Sequence, residues 1–307
     1  MEIPLQTRLM YAAAWCMGRL PLSWAQRIGD AFGALSHRLD TRECKVARRN
    51  LELLGHPADA GERDQALRRI LRQTGRNALE TLRIWTRPRA DNLRLVRAVH
   101  GLDRLAAAEA AGRGVIIAAP HYGNWELLVE FMAARGPFAL VYRTPESAAG
   151  DAFLRLARGG ENIRLVPAEA NAMRPLWKAL QSGGVVGITP DQQPKLGGGE
   201  FAPFFGRQAL TLSLIPRLAE RSGAAVLFGF AERGADGRFE IHFEPAPAAI
   251  ASPDLAEATA AMNAGVEAIA RRDLWQYQWT YKRWTLRPPG SGETNPYHPD
   301  CYGRPRG

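Results

Sequence analysis

A histidine and a glutamate, His121 and Glu126, stand five residues apart in the segment 119–126, which reads APHYGNWE. A neutral imidazole can take a proton from an attacking hydroxyl near neutral pH. A carboxylate on the other ring nitrogen would fix the tautomer and stabilise the imidazolium. We therefore predict general-base chemistry by His121, oriented by Glu126, in which the attacking hydroxyl belongs to the substrate.

The residues around this pair predict a strand, a tight turn and a helix. The run 114–119 (GVIIAA) is apolar and rich in β-branched residues, as in a buried strand, and Pro120 ends it. Gly123 permits a tight turn, and Asn124 is a plausible N-cap for a helix over 125–135. Open α/β sheets bind ligands at this edge. Most His-Glu pairs at this spacing are structural even in a strand-to-helix setting, so the spacing alone does not establish catalysis.

The rest of the chain predicts an α/β fold with a mostly parallel sheet flanked by helices and preceded by an N-terminal helical region. Further strands are predicted at 138–142, 163–166, 185–189, 224–230 and 238–244, and helices at 150–158, 171–182, 208–222 and 253–272. The turn Asp236-Gly237 predicts one antiparallel edge. We divide the chain into a helical, membrane-associating region (1–100), an α/β core (101–287) and an irregular tail (288–307).

The charge of the chain predicts a polyanionic partner. The net charge is +9, and residues 38–97 carry +7 of it, with 15 Lys/Arg against 8 Asp/Glu. Within 62–87, one helical face is apolar and another carries a basic stripe, Arg69, Arg72, Arg76, Arg83 and Arg87. Such a helix suits an anionic membrane or an acidic carrier protein, although a solvated arginine face has the same pattern. The absence of a helix-turn-helix, RNP or zinc-finger signature argues against nucleic acid.

The N-terminal segment and the cysteines bear on location. The apolar run 9–22 is interrupted by Arg19 and Pro21 and is shorter than the about 20 residues that a membrane span needs. Trp15 and Trp24 suit an interfacial helix, and a helix docked on the core is the alternative. The three cysteines lie far apart, which fits neither a disulfide framework nor a zinc site and predicts a cytosol-facing protein.

Four blocks of sequence resemble one family. The HYGNWE block resembles the signature of the bacterial lipid A biosynthesis late acyltransferases (the lauroyl/myristoyl acyltransferases), which belong to the lysophospholipid acyltransferase superfamily with its common His-x4-Asp block. The other matching blocks are VYR at 141–143, TPDQQP at 189–194 with FAPFFG at 201–206 and ALT at 209–211, and QYQWTYKRW at 276–284. Their order and spacing hold from about residue 5 to residue 287.

The resemblance implies a glycerolphosphate-acyltransferase-like fold and an acyl transfer without metal or organic cofactor. The donor would be an acyl carrier protein thioester, and the acceptor a hydroxyl of a lipid A precursor. The protein would work at the cytoplasmic face of the cell inner membrane, on an anionic surface. Many relatives begin with a transmembrane helix, whereas the broken run 9–22 predicts a peripheral or monotopic protein.

The resemblance also implies substrate-binding residues: Asn124, Arg143, Arg158, Arg164, Asp191 and Gln192. Arg143 would meet a phosphate or the developing oxyanion. Asp191, which follows a strand, would bind acceptor hydroxyls or hold a neighbouring arginine. Arg158 and Arg164 both fall near the position of a functional arginine in the family, and the local sequence RGGENIR leaves both open.

Two alternative functions remain open from the sequence. One is acyl transfer to another acceptor, such as a mannosylated phosphoinositide or a lysophospholipid. The other is a lipid thioesterase or hydrolase that uses the same His-Glu pair on water. Neither the acceptor nor the acyl chain length can be derived from the residues.

Overall fold

The structure is a computed structural model that describes residues 4–168 and 172–302. The first residue of the predicted helix 171–182 and the end of the predicted tail lie outside the described residues. The N-terminal region consists of helices, as predicted: α1 (Leu5–Gly18), α2 (Leu22–Arg38), α3 (Arg42–Leu54), α4 (Ala60–Thr86) and α5 (Arg89–Leu93). Asp59 caps α4 by accepting a hydrogen bond from the backbone N–H of Glu62. Among the described residues, every helix falls short of the length or apolar character that a bilayer span requires.

Helix α2 packs against α4 through glycine. A Cβ atom at Gly29 would lie 2.5 Å from the backbone nitrogen of Arg76, and one at Gly75 would lie 2.1 Å from the carbonyl oxygen of Gly29. The two backbones are therefore as close as they can be without side chains between them. The Arg76 guanidinium adds two hydrogen bonds of 2.6 Å to the Asp30 carboxylate across the same contact.

The structure corrects the interpretation of the basic stripe on α4. Arg76 binds Asp30 on α2, and Arg83 and Arg87 donate hydrogen bonds to the carbonyl oxygen of Gly18 at the end of α1. These three arginines therefore bind acceptors on neighbouring helices and do not form a free basic surface. The two remaining members of the stripe have exposed side chains.

Within residues 4–168 and 172–302, the main sheet has seven strands, in the order β1-β9-β8-β2-β5-β3-β4. The strands are β1 (Val96–His100), β2 (Val115–Ala118), β3 (Phe138–Tyr142), β4 (Ile163–Pro167), β5 (Val185–Ile188), β8 (Ala225–Arg233) and β9 (Phe239–Pro245). Strands β8, β2, β5, β3 and β4 are mutually parallel, and β9 pairs antiparallel with β8. The α/β prediction is confirmed, including the antiparallel hairpin at Asp236-Gly237. Helix α8 (Ala148–Arg158), between β3 and β4 in the chain, matches the helix predicted at 150–158.

Two details of the sheet differ from expectation. Strand β9 is not an edge, because β1 pairs with it in parallel and covers it. Strand β1 also lies inside the region that was expected to be helical, so the sheet begins at Val96. Its five residues are too few for a periodic pattern to stand out against the helices before it.

The predicted helix 208–222 is wrong in its first half. Residues 199–212 form a separate antiparallel hairpin of β6 (Gly199–Phe204) and β7 (Arg207–Leu212), and helix α10 (Leu214–Ser222) begins only after it. The short apolar run of β7 fits either helix or strand, and its pairing with β6 decides between them.

The core lies on both faces of the sheet, and β2 contributes to each. Ile116 and Ala118 face one side, where α9 (Met173–Gln181), α10 and α11 (Leu255–Arg272) pack, while Val115 and Ile117 face α6 (Leu102–Ala110) and α7 (Trp125–Arg135). All four side chains are fully buried. Burial on both faces explains why this strand is continuously apolar rather than alternating.

The described part of the tail is irregular, but it packs on the helical region. Tyr297 is fully buried, and its hydroxyl donates a 2.6 Å hydrogen bond to the side-chain oxygen of Asn50 on α3. The Asn50 amide in turn donates to the carbonyl oxygens of Trp279 and Tyr281. The tail therefore joins α3 to the closing block of the sequence.

We expect Gly29→Ala to destabilise the protein by about 1–3 kcal/mol, because the added methyl group forces α2 away from α4. Denaturant unfolding followed by circular dichroism measures the loss. Ala34→Gln, which adds volume on the exposed side of α2, serves as the control and should change the free energy of unfolding by less than about 0.5 kcal/mol. Equal losses in both variants would contradict the close contact.

Candidate active site

The register of two parallel strands brings His121 and Asp191 together. Ala118 at the end of β2 is the partner of Ile188 at the end of β5, and the backbone N–H of Ala119 donates to the carbonyl oxygen of Ile188. His121 and Asp191 each lie three residues beyond these paired residues. Both side chains therefore reach the carboxyl edge of the sheet at the same place, where α/β sheets bind ligands.

The Asp191 carboxylate holds His121 at two points. Its Oδ1 lies 2.8 Å from the imidazole Nδ1, and its Oδ2 accepts a 2.8 Å hydrogen bond from the backbone N–H of His121. Burial acts to raise the pKa of the Asp191 carboxyl. The charge and hydrogen bonds of His121, together with the charge of Arg283, outweigh it and hold the pKa below its ordinary value. An ionised Asp191 accepts from Nδ1–H and leaves the lone pair of His121 on Nε2.

The other imidazole nitrogen, Nε2, contacts Gln192 rather than a carboxylate. The side-chain nitrogen of Gln192 lies 3.2 Å from the Nε2 of His121, and the His121 side chain keeps 13% of its surface exposed. The edge of the Trp125 ring packs against the imidazole, with 5.6 Å between ring centroids. A substrate hydroxyl can therefore reach Nε2 by taking the place of the Gln192 amide.

The structure corrects the expected partner of His121. The Arg158 guanidinium donates hydrogen bonds of 3.0 Å and 2.5 Å to the Oε1 atom of Glu126. Both side chains are nearly buried, with exposed fractions of 3% for Glu126 and 11% for Arg158. The Arg158 guanidinium also lies over the rings of Trp125 and Trp85. Because Glu126 follows the histidine on the same strand-turn-helix unit, its nearness in sequence suggested a contact. The carboxylate that makes this contact comes from the neighbouring strand.

The loop between β2 and α7 is tied down on both sides. Gly123 has φ of 57°, and a Cβ there would lie 1.9 Å from the carbonyl oxygen of Ala231. The Tyr122 hydroxyl donates a 2.6 Å hydrogen bond to Glu232, and the carbonyl oxygen of His121 accepts from the backbone N–H of Gln278. These bonds fix the backbone from which the His121 imidazole projects.

Contrary to our expectation, the side chain of Asn124 neither caps helix α7 nor lies where it would contact a substrate. It is the N-cap residue of α7, but its side chain makes no capping hydrogen bond. Its amide instead points at Glu80 of α4, at 3.5 Å, and the residue is fully buried. Glu80 is already ion-paired with Arg233, in a pair that is almost entirely buried. Asn124 therefore supports the loop through its buried contact with α4, and it does not reach the protein surface.

The remaining predicted residues lie at different places along the sheet. Arg143 is exposed and follows directly on β3, the strand next to β5, and its charge acts on the Tyr281 hydroxyl. Arg164 lies within β4 at the edge of the sheet, with an exposed side chain. Of the two arginine candidates, the structure brings Arg158 into contact with Glu126.

Sequence reasoning missed two buried or half-buried residues near Asp191, Arg283 and Tyr281. Arg283 is 3% exposed and donates hydrogen bonds to the carbonyl oxygen of Leu210 and to the hydroxyl of Thr211, at 2.6 Å and 2.5 Å. The Tyr281 hydroxyl accepts a 2.9 Å hydrogen bond from the backbone N–H of Gln193. Both residues belong to the block 276–284, whose resemblance to the family was the only signal for them.

Comparisons with known proteins give relatives along most of the chain. The family model described as bacterial lipid A biosynthesis acyltransferase matches residues 4–285. A lipid A biosynthesis palmitoleoyltransferase of Escherichia coli (strain K12) is 29% identical over 278 residues, which cover 90% of each chain. A lipid A biosynthesis lauroyltransferase of the same organism is 28% identical over 287 residues, 92% of each chain.

A third relative carries a different name. A phosphatidylinositol mannoside acyltransferase of Mycobacterium tuberculosis (strain CDC 1551 / Oshkosh) is 30% identical over 223 residues, which cover 71% of this chain and 70% of the relative. The family model spans the helical region, the sheet and the closing block, and it includes both His121 and Asp191. The chain belongs to the bacterial lipid A biosynthesis acyltransferase family.

Proposed function

We propose that this acyltransferase moves a fatty acyl chain from an acyl carrier protein thioester to a hydroxyl of a lipid A precursor, with His121 as general base and Asp191 as the carboxylate that orients it. The observation that supports this most is the two-point bond between His121 and Asp191, which engages Nδ1 and leaves Nε2 in contact only with the Gln192 amide among the described hydrogen bonds. Asp191 takes the orienting role that sequence reasoning assigned to Glu126.

The proposed reaction needs no nucleophile from the protein. The acceptor hydroxyl binds Nε2 of His121, and its proton passes to the imidazole while its oxygen attacks the thioester carbonyl carbon. Asp191 stabilises the resulting imidazolium through Nδ1–H. The tetrahedral intermediate then breaks its C–S bond, and the imidazolium returns the proton to the departing carrier thiolate. The products are the acylated lipid and the free thiol of the carrier.

We propose a positioning role for Glu126 and Arg158. Their ion pair is nearly buried, and the guanidinium lies over the Trp125 ring, whose edge contacts His121. Neutralising either partner leaves the other charge buried and disturbs the tryptophan that packs on the imidazole. Arg143, exposed on the same edge of the sheet, is available for a phosphate of the acceptor or for the oxyanion.

The N-terminal helices supply a surface for the inner membrane. Most of the large exposed apolar side chains lie on α1 and α2 and at the end of α2: Leu5, Leu9, Met10, Trp15, Trp24, Phe32, Leu35 and Leu39. Arg8, Arg27 and Arg38 are exposed on the same two helices. Apolar side chains interspersed with arginine suit the interface of an anionic leaflet, and we propose peripheral or monotopic attachment there. The net positive charge also favours docking of an acidic carrier protein.

A phosphorylated mannolipid is the second candidate acceptor, because one relative is named as a phosphatidylinositol mannoside acyltransferase. Mass spectrometry of the lipids of a deletion strain distinguishes the two. Loss of one secondary acyl chain from lipid A supports the first acceptor, and loss of an acyl chain from a mannolipid supports the second.

We expect His121→Ala and Asp191→Asn each to lower kcat by about 10²- to 10⁴-fold, since one removes the base and the other removes the charge that orients it. The assay follows transfer from a radiolabelled acyl carrier thioester to a lipid A precursor, with circular dichroism as the control for folding. Near-normal transfer by both variants would contradict the mechanism. Thioester hydrolysis that is unaffected by the acceptor would instead favour a hydrolase.

Glu126→Gln separates the two carboxylates. We expect it to lower kcat less than Asp191→Asn does, because it does not touch the imidazole. If Glu126 and Arg158 act as one pair, the double variant Glu126→Gln/Arg158→Gln should lower kcat by about as much as either single change does. A larger loss from Glu126→Gln than from Asp191→Asn would return the orienting role to Glu126.

Replacing Trp15 and Trp24 with alanine should weaken binding to phosphatidylglycerol-containing vesicles by at least about tenfold for each residue. Burial of a large apolar side chain contributes about 1.5–3 kcal/mol. Vesicle co-sedimentation measures the effect. Trp177→Ala, which removes an equally exposed tryptophan from α9, is the matched control and should leave binding unchanged. Equal losses in all variants would argue against the α1–α2 surface.

A further inference from the structure

A second group of ionisable side chains crosses the sheet at β1, β9 and β8. His100 on β1 is the register partner of His242 on β9, and Glu232 on β8 is the partner of Glu240 on β9. Residues two apart on a strand share a face, and register partners stand side by side. The register therefore gathers two imidazoles and two carboxylates on one face of the sheet, outside the His121 site.

Three of these groups lie close enough together to be candidate metal ligands. Ligand atoms of His100, Glu240 and His242 all lie within 4.8 Å of one another. The Oε2 atom of Glu240 lies 2.7 Å from the Nε2 of His100 and 3.8 Å from the Nε2 of His242. Zinc binds nitrogen and oxygen at about 2.0–2.2 Å in a tetrahedron, which sets neighbouring ligand atoms about 3.4 Å apart. The observed separations lie on either side of this value.

His242 presents a buried nitrogen without a hydrogen-bond partner. The residue is 8% exposed, and within the described part of the chain its Nε2 makes no hydrogen bond. This atom points at Glu232 and Glu240, at 3.5 Å and 3.8 Å, which is too far for a hydrogen bond.

The salt-bridged groups around these histidines carry a net negative charge, which favours binding of a cation. Salt bridges around the two histidines join four carboxylates to two guanidiniums, a net charge of −2: Asp236, Glu232, Glu240 and Glu244 with Arg97 and Arg272. Arg97 bonds the Oε1 atom of Glu240 and leaves Oε2 turned toward the histidines. The group also borders a groove of about 680 Å³ that is lined by Glu240, Glu232 and Arg272. Solvent can therefore reach it.

We propose that His100, Glu240 and His242 bind a divalent transition-metal ion such as Zn²⁺, with the fourth position open to solvent. The ion replaces the proton between His100 Nε2 and Glu240 Oε2. Two imidazoles and one carboxylate favour Zn²⁺ over Mg²⁺ or Ca²⁺, which prefer oxygen ligands. Binding requires the His100 ring to tilt out of its stack on His242, where the ring centroids are 4.5 Å apart. Its exposed place on the edge strand allows this, and the ion then ties β1 to β9.

Calorimetric titration of the metal-free full-length protein with Zn²⁺ tests the site. All variants carry Cys16→Ser, so that the exposed thiol of Cys16 does not contribute. We expect one equivalent to bind to this parent protein, and binding at least about tenfold weaker in His100→Ala and His242→Phe, since loss even of a second-shell partner costs about 10- to 100-fold. Phenylalanine at 242 keeps a ring stacked on Phe230, and the exposed His100 tests the site separately if that variant does not fold.

His37→Ala is the matched control. His37 also contacts a carboxylate, at 2.7 Å from Asp64, but it lacks the second histidine. Its loss should leave Zn²⁺ affinity unchanged. Zn²⁺ should raise the Tm of the parent and of the control, but not that of His100→Ala, and Co²⁺ should give a visible absorption band only in proteins with the intact site. Unchanged Zn²⁺ affinity in His100→Ala, or an equal loss in the control, would overturn the proposal.

Discussion

The register of β2 against β5 is the constraint on which the candidate site depends. Because Ala118 pairs with Ile188, the residues three positions further along each segment, His121 and Asp191, lie side by side. A shift by one residue would move the Asp191 side chain to the other face of the sheet, since side chains alternate along a strand. The register is in turn set by burial, because both strands place apolar side chains in the cores on either side of the sheet.

A second constraint holds the loop that carries His121. The loop touches β8 at Gly123 and the closing block at Gln276 and Gln278, where backbone hydrogen bonds leave no room for a side chain at the glycine. Below it, the buried pair of Glu80 and Arg233 joins α4 to β8 and receives the Asn124 amide. A buried charge pair of this kind is costly to break from one side, because the remaining charge stays in a low-dielectric surrounding. The helical region thus helps to hold the loop that carries His121 in place.

The N-terminal helices show how one sequence feature can serve a different purpose from the one expected. The arginines of α4 looked like a basic surface, but several of them satisfy acceptors on α1 and α2. Arg69 and Arg72 stay exposed on α4, while the outward side chains of α1 and α2 form a further exposed surface, and many of these are large and apolar. The feature that suits a membrane is therefore the exposed apolar surface of α1 and α2, and not the arginine stripe of α4 that the sequence suggested.

The α/β class, most strands and helices, and the place of His121 at a strand end were predictable from the residues, because apolar runs and turn residues are local signals. The matching sequence blocks also pointed to the family. The side-chain partners, Asp191 for His121 and Arg158 for Glu126, became known only from the fold. The fold also decided that β7 is a strand and that β1 covers β9. Each of these depends on segments far apart in the chain, whose meeting is set by sheet order and register and leaves no trace in local sequence.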